Sequence, residues 1–342
     1  MTIGIALIGS GIFAKEEHLP AIKAASSALV LRAIYSRSLA SAKSLASEAA
    51  EVELYSEDSG EGKGYDALLA RDDVQAVVIA LPILVQPEYI KKALSAGKHV
   101  LAEKPIAKDV ATATELVSWY KSNISGPTLS IAENFRFLAS YDYAAAQLSQ
   151  LGRVLGFRVR AHNFVKQGGK YFETAWRKKP AYQGGFLLDG GVHFVAATRL
   201  ILEGGRVQPV MTSAFSTQLQ EHLPPVDTVD ATVKLSNGAN GTISLSFGTT
   251  FTGSEYTFAA EKGTVTVTRG KVTVVKDGKE ETKEFSEEGS GVKQEMAAWG
   301  KALAGGKSDP RQSAEEALRD LQVLEAMLQS GEKGGAPVEL NL

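Results

Sequence analysis

The stretch TIGIALIGSGIFA, residues 2–14, constrains the fold of this 342-residue chain more than any other. An apolar run stops at Gly9-Ser10-Gly11 and is followed at once by Ile12, Phe13 and Ala14. A strand that ends in a glycine turn and opens a helix is the start of a βαβ unit, with free N–H groups facing an anion. Further apolar runs follow: LVLRAIYS, VQAVVIALP, HVLAEKP and TLSIAENF. Between them lie LASAKSLASEAA, PEYIKKALSAG and ATATELVSWYKS, which have helical spacing and good helix formers. Strand–helix–strand alternation of this kind makes a parallel sheet with right-handed crossovers.

After about residue 135 the texture changes. RVLGFRVRAHNF, VMTSAFSTQL, TVDATVKLS, GTISLSFGTT, EYTFAAEKG, TVTVTRG and KVTVVKDG follow one another with hairpin signals at Asn237-Gly238 and Asp277-Gly278. Their period-two alternation implies an antiparallel sheet with one buried face. Helices are expected at GGVHFVAATRLILEG, VKQEMAAWGKALAG and AEEALRDLQVLEAMLQSG, and a solvated hairpin and loop at KDGKEETKEFSEEGS. The expected fold class is α/β: an N-terminal Rossmann domain over residues 1–134, and a C-terminal α/β domain over 135–309 built on an open, mostly antiparallel sheet. The segment 310–342 is expected to pack back on the first domain.

Composition narrows the function classes. A net charge of -2 gives no electrostatic reason to expect nucleic acid or a membrane surface. The absence of cysteine excludes disulfides, thiolate nucleophiles and cysteine-ligated metals. No signal peptide is visible, and no apolar run approaches the ~20 residues that span a bilayer. A cytoplasmic enzyme or binding protein is expected.

The glycine loop reads as a dinucleotide site: Gly9 for the tight turn, Gly11 for close approach to phosphate, Ile12 and Phe13 at the helix N-terminus. Leu81-Pro82, ending VQAVVIALP, also belong to the strand ends that face a cofactor. An NAD site usually has an acid at the tip of the second strand. Here the tip reads Tyr35-Ser36-Arg37-Ser38, with no acid until Glu48. A guanidinium and two hydroxyls suit a 2′-phosphate, so NADP(H) is the expected cofactor. The plainer reading is that Arg37 only starts a surface helix.

In GGFLLDGGVH, residues 184–193, Asp189 and His193 stand four apart. With a helix starting at Gly190, Asp189 would cap it and His193 would follow one turn later on the same side. A carboxylate beside an imidazole can orient the ring for proton transfer. The plainer alternatives are a helix cap and a packed histidine. No metal ligand set is expected, because the remaining histidines have no ligand spacing.

The chain resembles the Gfo/Idh/MocA oxidoreductase family over nearly its whole length, through GSGIFA, AGKHVLAEKP, AENFRF, TAWRKKP, GGFLLDGGVH and the helical EAMLQSG. Within the family it looks most similar to a fungal NADP(H)-linked branch. The resemblance implies that Lys104, in Glu103-Lys104-Pro105, lies near the nicotinamide and takes part in proton transfer, with Pro105 holding the loop through a cis bond. Lys104, Asp189 and His193 are then the catalytic set. Where many members have Pro-Asn-x-x-His, this chain has Pro82-Ile83-Leu84-Val85-Gln86, so Gln86 is expected to donate to the cofactor without titrating. Glu103, Asn134, Arg136, Trp176 and Arg177 are further candidate cofactor or substrate contacts. The implied activity is NADP(H)-dependent transfer of hydride to or from a sugar, polyol or small aldehyde or ketone, by a homodimer formed through the open sheet. The alternatives are a non-catalytic NADP-dependent sensor or transcriptional co-regulator, and an NAD-dependent glycosidase of the same fold, which Arg37 disfavours.

Overall fold

The computed structural model describes residues 2–47 and 52–342. They divide into two compact units, Met1–Asn134 with Val292–Leu318, and Phe135–Gly291 with Arg319–Leu342.

In the first unit, strands β1 (Ile3–Ile8), β2 (Leu29–Ser36), β3 (Glu53–Ser56), β4 (Ala76–Ile79), β5 (His99–Glu103) and β6 (Leu129–Ala132) form one sheet. Their order is β3-β2-β1-β4-β5-β6 and every pairing is parallel. Reversal of strand order between β1 and β4 opens a crevice at the strands' carboxyl ends, where such sheets bind ligands. β4 is buried at every position, as a strand covered on both faces must be. β3 was not among the expected runs: it is four residues long and Glu53 is exposed, so no periodicity marks it. Glu48 and the end of the LASAKSLASEAA stretch lie outside the described residues.

A wide π turn over Ala14–His18 leads into α1 (Leu19–Ala24), and α2 (Leu39–Ala46), α3 (Tyr65–Leu69), α4 (Gln86–Ser95) and α5 (Val110–Asn123) connect the later strands. The side chains of Ser38 and Asp109 cap α2 and α5, accepting from the N–H groups of Ser41 and Thr112.

The second unit begins with α6 (Ala139–Leu148), which the sequence reading did not anticipate, and continues through β7 (Val154–His162), α7 (Ala175–Lys178) and α8 (Gly185–Gly204). The strands β8 (Pro209–Thr217), β9 (Thr228–Leu235), β10 (Asn240–Ser246), β11 (Gly253–Ala260), β12 (Gly263–Thr268), β13 (Lys271–Lys276), β14 (Lys279–Glu284) and β15 (Val338–Glu339) complete a nine-stranded sheet. All its pairings are antiparallel except β7 with β10. In β9 the residues Val229, Ala231, Val233 and Leu235 are buried while Asp230, Thr232 and Lys234 are exposed, the alternation of a half-buried strand. Asp277 and Gly278 both have positive φ (51° and 77°), the type I′ geometry that closes the β13–β14 hairpin. β14 is exposed at all six positions, a charged edge that resists further pairing.

Two expectations about the helices are corrected. The segment that returns to the first unit is Val292–Leu318, not 310–342. Its helix α9 (Val292–Ala304) buries Met296 and Trp299 in the core with Ile5, Ile22 and Leu29. A Cβ on Gly300 would stand 2.9 Å from Leu29 Cγ, so only glycine lets α9 come this close. The last helix, α10 (Ala314–Glu332), passes to the second unit from Arg319 onward. There the buried Asp320 accepts from Arg136 at 2.7 and 2.9 Å and from Arg199 at 2.5 Å. Arg136, a candidate ligand contact, is therefore a structural ion-pair residue, 2% exposed.

Secondly, α8 starts at Gly185 rather than Gly190, so Asp189 sits inside the helix and not at its cap. α8 passes a length and hydropathy test for a membrane-crossing helix. It is a core helix of the second unit, with Asp189 and Arg199 committed to ion pairs.

Candidate functional site

The glycine turn after β1 is a cradle that side chains would fill. Gly9 has φ +105°, and a Cβ there would lie 2.3 Å from the Ala80 carbonyl oxygen. Above Gly11 nothing approaches within 4 Å, and Ile12 and Phe13 then open the helix. Free N–H groups over open space suit a pyrophosphate, so the residues present fit a dinucleotide. Ser10 donates to Ser36 Oγ at 2.7 Å, tying the cradle to the tip of β2. Arg37 beyond it is exposed, and Ser38 caps α2. Leu81 and Pro82 follow β4, partly exposed.

The tip of β2 also receives an acid that the linear sequence hid. Asp58, in the loop after β3, accepts from Leu39 N–H at 2.7 Å and from Ser56 Oγ at 2.6 Å.

At the end of β5 the Lys104–Pro105 bond is cis and Lys104 is partly exposed. Glu103 Oε1 lies 2.7 Å from Nε2 of the fully buried His18, which follows the glycine cradle on the π turn. Gln86 is also fully buried, and its amide donates to the carbonyl oxygens of Glu103 at 2.9 Å and Pro105 at 3.4 Å. That corrects the expected cofactor contact: both amide hydrogens hold the Glu103-Lys104-Pro105 backbone instead. Asn134, at the end of β6, is 7% exposed. In the same unit Glu295 of α9 is buried with Glu133. Burial, then the charges of Glu103 and Glu133, pushes the Glu295 carboxyl well above the usual carboxylate range.

In the second unit α8 carries Asp189 and His193 one turn apart. The Asp189 carboxylate accepts from Arg177 Nε at 2.7 Å, and the Arg177 guanidinium lies over the Trp176 ring, 4.1 Å from its centre. Trp176 is thus no core residue; it is partly exposed with a cation on its face. The His193 ring stacks on Phe135 at 4.7 Å between centroids. Tyr182 is pushed up by burial first and by the Asp189 charge second, so it stays a neutral phenol. Lys104 belongs to the first unit, and Asp189 and His193 to the second. His18, Asp58 and Glu295 were missed from the sequence: distant segments bring Glu103 to His18, the Leu39 N–H to Asp58, and the charges of Glu103 and Glu133 to Glu295.

Residues 3–124 match the NAD-binding Rossmann fold of an oxidoreductase family, and residues 146–340 match that family's C-terminal alpha/beta domain. A curated relative, "Dehydrogenase FPY6" of Fusarium mangiferae, is 44% identical over 343 residues, 98% of each chain. Among solved structures, an oxidoreductase from Thermotoga maritima superposes with a TM-score of 0.88 at 30% identity, covering 99% of this chain and 98% of that one. KijD10, a 3-ketoreductase from Actinomadura kijaniata solved with NADP and TDP-benzene, gives a TM-score of 0.79 at 25% identity, covering 96% and 98%.

Proposed function

Since the chain belongs to the Gfo/Idh/MocA oxidoreductase family, we propose that it transfers hydride between NADP(H) and a sugar, polyol or small aldehyde or ketone. The nicotinamide, when bound, supplies or accepts the hydride; the protein holds the dinucleotide, orients the substrate and moves a proton. Gly9, Gly11, Ile12 and Phe13 hold the pyrophosphate, and Ser36, Arg37 and Ser38 take the 2′-phosphate. Leu81, Pro82, Glu103, Lys104, Asn134 and Trp176 are the further candidate contacts. The Actinomadura kijaniata relative, solved with NADP, supports the phosphorylated dinucleotide.

Proton transfer falls to Lys104, Asp189 and His193. In oxidation the substrate hydroxyl gives its proton to the Lys104 amine or the His193 imidazole as the carbonyl forms; reduction runs the reverse. Asp189, held by Arg177, supports the positive charge that this creates. The observation that carries the reading is the His18–Glu103 hydrogen bond, which fixes the Lys104 turn to the helix that follows the glycine cradle. A homodimer through the open sheet and a cytoplasmic location complete the proposal.

The test is a panel of sugars, polyols and aldehydes followed by NADPH absorbance. Turnover with NADP(H) should exceed that with NAD(H) by about tenfold or more, the worth of a charge-assisted phosphate contact. Tight NADPH binding without turnover of any compound would favour the sensor reading instead.

A further inference from the structure

Ser36-Arg37-Ser38 is a triplet suited to a phosphate, yet two acids flank it. Both come from Glu57-Asp58 in the loop after β3, and they are anchored on opposite sides of the triplet. Glu57 Oε1 accepts from the hydroxyl of Tyr35, the residue before Ser36, at 2.5 Å. Asp58 Oδ1 accepts from the N–H of Leu39, the residue after Ser38, at 2.7 Å. The loop is closed on itself as well, with Ser56 N–H on the Lys63 carbonyl oxygen at 2.8 Å. Glu57 is turned toward the cluster of Tyr35, Tyr65 and Tyr89. Asp58 is exposed and occupies one of the free donors of α2, the kind of group that otherwise faces an anion. The hydrogen bonds from Ser56 and Leu39 hold the Asp58 carboxyl below the usual carboxylate range, so it is charged at neutral pH.

We propose that Asp58 is a specificity-determining residue for the dinucleotide, supplying from the loop after β3 the acid that the tip of β2 lacks. It accepts the adenosine ribose hydroxyls of NADH, and its negative charge offsets part of the attraction of Arg37 for the 2′-phosphate of NADPH. The chain therefore binds both dinucleotides, with a smaller preference for NADPH than Arg37 alone would give. This rests on the proposed placement of the adenosine ribose at Ser36-Arg37-Ser38.

The test is Asp58→Asn, which keeps the side-chain shape and an oxygen for Leu39 N–H while removing the charge. Dissociation constants for NADPH and NADH are measured by nicotinamide fluorescence, together with the shift in melting midpoint that each produces. NADPH should bind about three- to tenfold tighter and NADH about threefold or more weaker. The change should shrink as salt is raised, because the group is exposed. A ratio of the two constants within about twofold of the parent protein overturns the proposal. Asp58→Ser, measured in the same way, serves if the asparagine variant folds poorly. Arg37→Ala separates the two readings. If it leaves NADPH binding unchanged, the phosphate assignment itself fails; if it weakens NADPH while Asp58→Asn and Asp58→Ser change nothing, only the role of Asp58 is lost.

Discussion

Arg177 and Asp189 form a partly stacked ion pair: Nε donates to Oδ2 at 2.7 Å while the guanidinium covers the Trp176 ring. The pair gives an aspartate inside an apolar helix the partner that its burial demands. The side chains are 16% and 7% exposed, so water supplies little of the solvation that the carboxylate needs.

Arg177→Met should therefore damage both fold and reaction. Removing one partner of a buried pair typically costs about 3–5 kcal/mol, visible as a lower melting midpoint. Arg177→Lys restores charge without the planar fork that stacks on Trp176, so it should recover stability better than turnover. If the lysine variant turned over as fast as the parent, the pair would be structural only, and Asp189 would lose its proposed part in proton transfer.

Lys104→Met keeps the stem and deletes the ammonium. NADPH affinity should change by less than about tenfold, while turnover should fall by roughly 100- to 10,000-fold, the usual contribution of a general acid–base group. His193→Asn should lower turnover strongly while leaving the melting midpoint near that of the parent. Turnover within a fewfold of the parent in both variants would mean that neither side chain carries the proton, and the proposed set would fall.

What the sequence revealed and what it hid divide along contact distance. The cradle at Gly9 and the turn at Lys104 were legible because each is a local arrangement, a strand end written in consecutive residues. The pairs His18–Glu103, Arg177–Asp189 and Asp58–Leu39 N–H were not, since each joins segments that only the folded sheet or helix brings together. Gln86 was placed at the correct strand end, but no local pattern tells an inward from an outward side chain, and it turned inward. The start of α8 was expected at Gly190; it lies at Gly185, where Gly184 and Gly185 both have positive φ (83° and 49°) and helix begins nonetheless. The end of the chain misled for a related reason. Apolar spacing predicted helices α9 and α10 correctly, but spacing says nothing about which core a helix joins. The buried charge of Asp320, matched by Arg136 and Arg199, settles that for α10.

The last prediction concerns Glu295, which the proposed reaction does not use. It is buried in α9 and faces the charges of Glu103 and Glu133, with His18 paired to Glu103; Gln312 lies on its backbone carbonyl at 3.5 Å. Its folded-state pKa is raised above the ~4.3 of an unfolded glutamate. Below that value both states carry the proton and the group does not affect stability. As pH rises above it, the unfolded chain releases the proton and the folded one keeps it. Stability then falls by about 1.4 kcal/mol per pH unit until the folded group also titrates. Glu295→Gln keeps the shape and removes the titration. Its melting midpoint should match the parent near about pH 4 and exceed it increasingly as pH rises, until the folded Glu295 itself titrates. Parallel curves for the two proteins would mean that Glu295 is already ionised in the folded protein, its charge met by a neighbour.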